Sequence, residues 1–288
     1  MSVLDQAIRI MGCGDIGRRV ACLYQNQGMR AIGWVRGAES LALGQAQGIE
    51  MRQGDMDQGS FFPRNAFEGR DIFWFAPPPS TGLIDSRLRR FLLAVQSAPR
   101  RIVLISTTGV YGDSQGAWID ETTPTHTTNE RSIRRLDAEN ALHEWMRNYN
   151  GDGVILRVPG IYALDRLPLE RLKRGEPIVN ASEAPWTNRI HADDLAMIAK
   201  VAMERAPRGA IYNATDGHPS TMTEYFNQIA DYAGLPRPPQ ISLEEAKQVL
   251  SAGMVSYLQE SRRIKNDKLL KELEITLQYP DLAFALNS

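Results

Sequence analysis

The chain has 288 residues, 43% hydrophobic and 23% charged, the composition of an ordinary globular protein. That length suits one large α/β unit, or a nucleotide-binding domain with a smaller lobe. A formal charge of −1 leaves no global field favouring nucleic acid or an anionic membrane, and no apolar run approaches membrane-spanning length.

The chain opens with "MSVLDQAIRIMGCG". It shows neither the basic start nor the long apolar stretch of a secretory leader, so a cytoplasmic protein is expected. "AIRIMG", Ala7–Gly12, reads as a buried strand closing on glycines. "DIGRRVACLYQNQG" follows as a helix with Ile16, Val20, Leu23 and Tyr24 on one face, ended by Gly28. Cys13 lies in the glycine turn and Cys22 on this helix. A disulfide would distort both elements, so two separate thiols are expected. "MRAIGWVRG" is a second strand, "LALGQAQG" a short helix and "IEMRQGD" a third strand. "DIFWFAPPPS" is a fourth strand, stopped by prolines that cannot continue a ladder. "SRLRRFLLAVQS" is a helix that turns Leu88, Phe91, Leu92 and Val95 inward. "RIVLISTTGVYG" is a fifth strand running into a turn, "TTNERSIRRLDAENALHEW" a long helix, and "DGVILRVPGIY" a sixth strand. This alternation predicts an α/β fold, a doubly wound parallel sheet of Rossmann type.

After Tyr162 the pattern changes. "ALDRLPLERLKRGEP" is basic and loop-like with a short helix. "RIHADDLAMIAKVAMERA" gives a brief strand and a helix, "AIYNATD" a strand and "TMTEYFNQIADYAGLP" a helix. The rest is helical and polar. The expected organisation is a nucleotide-binding domain over residues 1–162, with elements near 189–216 completing its sheet, and a smaller, mainly substrate-binding lobe over 163–288.

In such sheets ligands bind beyond the carboxyl ends of the strands. Those ends are Gly12–Gly17, Arg36, Asp55, Ala76–Pro79, Ser106–Gly112 and Pro159–Tyr162. "GCGDIG" is a G-x-G-x-x-G. Gly12 permits a sharp turn, Gly14 lets the backbone approach a pyrophosphate, and Gly17 lets helix and strand pack closely. The motif alone would fit a merely tight turn. Its place between a strand and a helix favours dinucleotide binding, with the anion at the helix start around Asp15 and Ile16. An acidic residue at the end of the second strand would accept bonds from the ribose 2′-hydroxyl, whereas arginine suits a 2′-phosphate. Arg36 stands there, so NADP is favoured over NAD, the bland reading being a solvated surface arginine. Glu39 is placed in the following loop. The basic run holding Arg166, Arg171, Lys173 and Arg174 reads as a solvated helix face or as a surface for an anionic substrate. His126, His143 and His218 show no ligand spacing, and no metal constellation appears. His191, before Asp193 and Asp194, reads as a structural hinge at a helix start.

"GCGDIG", "STTGVYGD", "RVPGIYALDR", "RIHADDLA", "YNATDGHPSTMTEY" and "IKNDKLLKEL" occur in the order found in a known family. In them the chain resembles an extended short-chain dehydrogenase/reductase of the NAD(P)-dependent epimerase/dehydratase type. The resemblance implies that Gly12, Gly14 and Gly17 hold the pyrophosphate and that Arg36 meets the adenosine ribose. It places Asp55 near the adenine, Ala76 and Pro77 along the cofactor, and Pro159 to Tyr162 beside the nicotinamide. Counting back four residues from Tyr111 puts the family's catalytic hydroxyl at Thr107.

Two departures matter. The family's glycine pattern is usually G-x-x-G-x-x-G, and Met11 occupies its first position. The family's Tyr-x-x-x-Lys pair, about two dozen residues after the hydroxyl, falls on Arg131 and Arg135. Glu139, four residues on, matches the family's glutamate and anchors that alignment independently. Arginine stays protonated at ordinary pH, so Arg131 cannot act as a base. Arg135 can still donate to ribose hydroxyls or phosphate. Tyr111 could supply the missing phenol, a substrate carboxylate could pair with Arg131, or Thr107 could polarise a carbonyl without a dedicated acid.

The expectation is an NAD(P)-binding, epimerase/dehydratase-like oxidoreductase with a non-standard active site. Its substrate would be small and polar, with an anionic compound or a sugar nucleotide among the candidates. The alternative is a catalytically silent cofactor-binding or redox-sensing protein. Neither nucleic acid nor membrane is expected as a partner, and a homodimer is left open.

Overall fold

The computed structural model describes residues 7–58, 62 and 64–288, so the first six residues used to judge a leader lie outside the described part. The first half alternates as its hydrophobic runs dictate. It runs β1 (Ile8–Met11), α1 (Asp15–Gln25), β2 (Ala31–Val35), α2 (Ala38–Ala46), β3 (Glu50–Gln53), β4 (Asp71–Trp74), α3 (Ser86–Val95) and β5 (Arg101–Thr107). Then come β6 (Trp118–Ile119), α4 (Glu130–Tyr149), β7 (Gly153–Val158) and β8 (Gly160–Tyr162). The second half contains α5 (Leu169–Lys173), β9 (Ile178–Val179), β10 (Trp186–Thr187), β11 (Arg189–His191), α6 (Ala192–Arg205), β12 (Ile211–Asn213), β13 (Ser220–Thr221) and α7 (Met222–Tyr232). It closes with β14 (Gln240–Ile241), α8 (Leu243–Val249), α9 (Ala252–Leu258), β15 (Arg263–Ile264), α10 (Asp267–Leu273) and α11 (Leu282–Leu286).

Seven strands form one sheet in the order β12-β7-β5-β4-β1-β2-β3, every pair parallel. Helices cover both faces, because a parallel sheet buried on both sides must be apolar on both sides. α1 and α6 pack on one face over Ile8, Ile10, Phe73 and Leu156. α3 and α4 pack on the other over Ile72, Trp74, Leu104 and Ile155. The chain leaves β1 toward β2 and β3 on one side and returns to β4 on the other. The β1–β4 boundary is therefore the switch point where a doubly wound sheet opens a crevice. Glu39 lies in the first turn of α2 and not in a loop, where a carboxylate suits the positive end of the helix dipole.

Beyond the sheet, β8 pairs with β11 and β9 with β14, both parallel, while β10 and β13 pair antiparallel. β15 returns to β6. α5, α7 and α11 share a small core of Leu172, Phe226, Ile229 and Leu286. No helix among the described residues is long and apolar enough to cross a membrane.

One polar contact runs through the middle of this framework. Glu139 of α4 and Arg157 of β7 are both buried and form a two-point ion pair, with contacts of 3.1 Å and 2.8 Å. Ser106 of β5 donates its hydroxyl to the same carboxylate at 2.5 Å. Removing one partner of such a pair strands a buried charge and typically costs about 3–5 kcal/mol. Arg157→Met should therefore lower unfolding free energy by about that much in urea titration. Adding Glu139→Leu to Arg157→Met should recover part of the loss. Equal and additive losses would contradict the pairing.

Candidate functional site

The glycine turn sits at the switch point. Gly12 has φ +84°, a left-handed conformation that favours glycine. A Cβ there would lie 2.4 Å from the Ala76 nitrogen, so the turn and the end of β4 touch backbone to backbone. A Cβ at Gly17 would crowd Ile10 at 3.0 Å and Cys13 at 3.3 Å, whereas one at Gly14 would meet nothing within 4 Å. Two glycines thus allow close packing, and the middle one faces open space at the start of α1. No side chain caps that helix at Gly14, so its first-turn N–H groups face outward, the arrangement that binds anions. Cys13 is buried against this turn and its thiol is pushed up to about 12 by desolvation. It and Cys22 are both unpaired.

Asp15, in the first turn beside Ile16, is held by Arg19 at 3.1 Å and by Arg166 at 2.8 Å. Arg19 also grips Asp193 at 2.6 Å and Asp165 at 3.0 Å. The Asp15 charge beside this uncapped helix end is thereby offset by two guanidinium groups. This network also ties α1 to the start of α6 and to the segment after β8. A polar cavity of about 780 Å³ lies alongside, lined by Arg18, Cys22, Asp193 and Arg205. Of the residues assigned to cofactor binding it shares only Asp15.

Arg36 is exposed just past β2, and its carbonyl accepts from Gln53 at 3.0 Å. Asp55 accepts the Asp57 N–H at 2.9 Å in a turn closed on itself. Arg87 then binds Asp57 with contacts of 2.9 Å and 2.6 Å and the Pro77 carbonyl at 2.9 Å. Arg87 holds the Asp57 carboxyl below its ordinary range. This clamp fixes the loop after β4, in which Ala76 is buried and Pro77 exposed. Neither Asp57 nor Arg87 belongs to a spacing that sequence reading would single out.

At the other end of the crevice Thr107 closes β5. Its Oγ1 accepts the Gly109 N–H at 3.1 Å, which leaves the hydroxyl proton to be donated. Tyr111 does not supply a phenol to the crevice. It is 2% exposed, donates to Asn213 at 2.8 Å and lies under Arg157, whose Cζ is 4.7 Å from the ring centroid. Arg157 covers its ring, and desolvation raises its pKa against the lowering effect of that guanidinium.

Arg131 and Arg135 stand on the first turns of α4, which Asn129 caps by accepting the Ser132 N–H at 2.9 Å. Arg135 donates to the Ile105 carbonyl at 3.0 Å. Desolvation lowers its proton affinity, and Asp85, the buried cap of α3, opposes that effect. Arg131 donates to the Tyr257 hydroxyl, with its Cζ 4.4 Å over the ring. Tyr257 comes from α9, 126 positions along the chain, so sequence spacing carried no sign of it. It brings a phenol to the Arg131 end of α4. Pro159 is half-buried at the end of β7.

The basic run is largely neutralised. Arg166 pairs with Asp15, Lys173 with Glu170 and Arg174 with Glu176, while Arg171 lies over the Phe226 ring at 4.9 Å. His191 caps α6 by accepting the Asp193 N–H at 3.2 Å. Its ring packs on Tyr279 with centroids 3.7 Å apart, and burial lowers its pKa.

The model of the NAD dependent epimerase/dehydratase family matches residues 87–215. Protein YeeZ of Escherichia coli K12 is 29% identical over 187 residues, which cover 63% of this chain and 59% of that protein. A functionally unknown conserved protein from Silicibacter pomeroyi superposes with a TM-score of 0.82 at 28% identity, over 98% of this chain and 97% of the other. The UDP-glucose 4-epimerase of Thermotoga maritima, solved with UDP-glucose, superposes with a TM-score of 0.80 at 17% identity. That match covers 97% of this chain and 96% of the other and shows a shared fold.

One group near the second lobe makes stability pH-dependent. Asp216 is 5% exposed, and burial pushes its carboxyl up to about 7 despite the His218 N–H it accepts. A raised folded value favours the protonated form. Its contribution is therefore complete below the ordinary carboxylate value and lost as pH rises through about 7. Asp216→Asn should match the wild type near pH 4 and exceed it at pH 8 by about 2–4 kcal/mol in urea unfolding. A constant difference across that range would contradict the assignment.

Proposed function

We propose that the chain, whose residues 87–215 match the NAD dependent epimerase/dehydratase family, is an NAD(P)-binding oxidoreductase of that type. It acts on a small polar substrate, a sugar nucleotide being one candidate, with altered proton chemistry. The observation that carries this is the switch-point turn: Gly12 locked against Ala76, Gly14 open, and α1 uncapped beside it. The pyrophosphate rests on the first turn of α1 at Gly14, Asp15, Ile16 and Gly17. Arg36 takes the ribose end, which favours NADP over NAD because a guanidinium fork matches a 2′-phosphate. Asp55 stands near the adenine, Ala76 and Pro77 line the middle, and Pro159 lies beside the nicotinamide. The nicotinamide, when bound, would supply hydride chemistry. The two unpaired thiols suit a reducing compartment such as the cytoplasm.

Thr107 orients the substrate oxygen with its remaining hydroxyl proton. Tyr257 exchanges a proton with that oxygen, held by Arg131, which donates to the phenol and leaves its proton free. Arg135 uses the donors not spent on Ile105 for ribose hydroxyls. A cofactor-binding sensor without turnover remains the second reading, favoured by the withdrawal of Tyr111 into the Arg157 network.

Fluorescence titration should show saturable NADPH binding, tighter than NADH. Gly14→Val should abolish it without lowering the melting temperature, because that Cβ position is open. In oxidation screens over carbonyl and sugar-nucleotide panels, Thr107→Ala and Tyr257→Phe should each cut kcat about 100-fold with NADPH binding unchanged. Tight NADPH binding without turnover on any panel would favour the sensor. Failure to bind either dinucleotide would remove both readings.

A further inference from the structure

Arg189 of β11 is 9% exposed and is not neutralised. Nη2 reaches only the Thr187 hydroxyl at 3.4 Å and the Met222 sulfur at 3.7 Å. Nε has no partner among the described residues. The guanidinium lies on the Tyr225 ring, with Cζ 3.7 Å from its centroid. Arg157, which is buried more deeply still, is by contrast matched by Glu139 through two hydrogen bonds of 3.1 Å and 2.8 Å. A buried guanidinium left without a carboxylate is expensive, and native proteins almost always match such a charge. The carboxyl with most influence on Arg189 is Asp216. Its own burial, which pushes it up to about 7, makes it a weak counter-charge near neutral pH.

Two further observations locate what is missing. A Cβ built on Gly160 would lie 2.8 Å from Arg189 Nη1, and Gly160 is exposed. The guanidinium edge therefore lies just beneath the accessible backbone of β8, the segment the proposed function puts beside the nicotinamide. The Tyr162 phenol, on the same strand, is 1% exposed and its hydroxyl is also unpartnered. It is among the groups acting on Arg189. Unspent donors on two buried side chains thus share one neighbourhood, in the lobe where a substrate would enter.

We propose that Arg189 and Tyr162 form an oxyanion subsite that receives a carboxylate carried by the substrate. A single cation with Asp216 close by balances one negative charge, which a carboxylate carries and a diphosphate exceeds. The guanidinium fork also matches the two oxygens of a planar carboxylate. The subsite rests on the proposed function for its place beside the cofactor. It does not rest on it for its chemistry.

The test uses gluconate as the probe, sorbitol as the same carbon chain without the charge, and UDP as the phosphate arm. Binding is read by calorimetry on the full chain with and without NADPH. Wild type should bind gluconate saturably, ignore sorbitol, and bind gluconate undisturbed by UDP. Arg189→Met should weaken gluconate at least tenfold while melting no lower than wild type, because removing an uncompensated buried charge does not destabilise. Arg189→Lys, which keeps the charge and loses the fork, should fall between the two. A structural arginine would behave oppositely: Arg189→Met would melt well below wild type and the inference would be overturned. It is equally overturned if wild type shows no saturable gluconate binding, if UDP displaces gluconate, or if Arg189→Met binds like wild type. Loss of NADPH binding with gluconate binding intact would sink the proposed function and leave the subsite standing.

Discussion

The buried pair between Glu139 and Arg157 is the constraint on which the rest of the site depends. It lies where β5, β7 and α4 meet, and each member has a second duty. Glu139 also accepts from Ser106, the neighbour of Thr107. Arg157 also covers Tyr111, whose hydroxyl reaches Asn213 on the edge strand β12. One ion pair thus sets the height of α4 against the sheet. With it are set the positions of Arg135, one turn before Glu139, and Arg131, two turns before. A buried pair of this kind adds little net stability over well-packed apolar residues. Its contribution here is to fix register.

The crevice therefore has two ends governed by different physics. At the glycine turn the constraint is steric, with backbone on backbone between Gly12 and Ala76 and open space at Gly14. At the α4 end it is electrostatic. Two arginines occupy neighbouring turns, one donating to a strand carbonyl and the other to a phenol from a distant helix. Under the proposed function dinucleotide binding would depend on the first end and proton transfer on the second, so changes in one need not disturb the other. Under the same proposal such a division would let the scaffold keep a cofactor site while its acid/base chemistry changes.

Features set by local pattern were legible in the sequence. The doubly wound sheet follows from apolar runs alternating with amphipathic helices. The inward face of α3, Leu88, Phe91, Leu92 and Val95, appears in the structure as its periodicity requires. α4 was harder, because its buried side includes Ser132, Arg134 and Glu139 and does not look apolar. The pairs β6–β15 and β10–β13 are two residues long, too short for any period to show. Tyr257 and Arg189 escaped for another reason. Their significance lies in what they touch or fail to touch across more than one element, and spacing along the chain does not encode that. The basic run after Tyr162 read by composition as a solvated helix face or an anion surface, and its carboxylate partners arrive from both nearby and distant positions.

The central claim is that the β1–β4 switch point is a working dinucleotide site although the α4 seats hold arginine. Hydrogen–deuterium exchange with and without saturating NADPH tests it most directly. Slowed exchange is predicted in the glycine turn and first turn of α1, residues 12–18, and in the loop after β4, residues 75–84, with the α8–α9 segment as the distant responder. Unchanged exchange at the glycine turn under saturating NADPH would contradict the account.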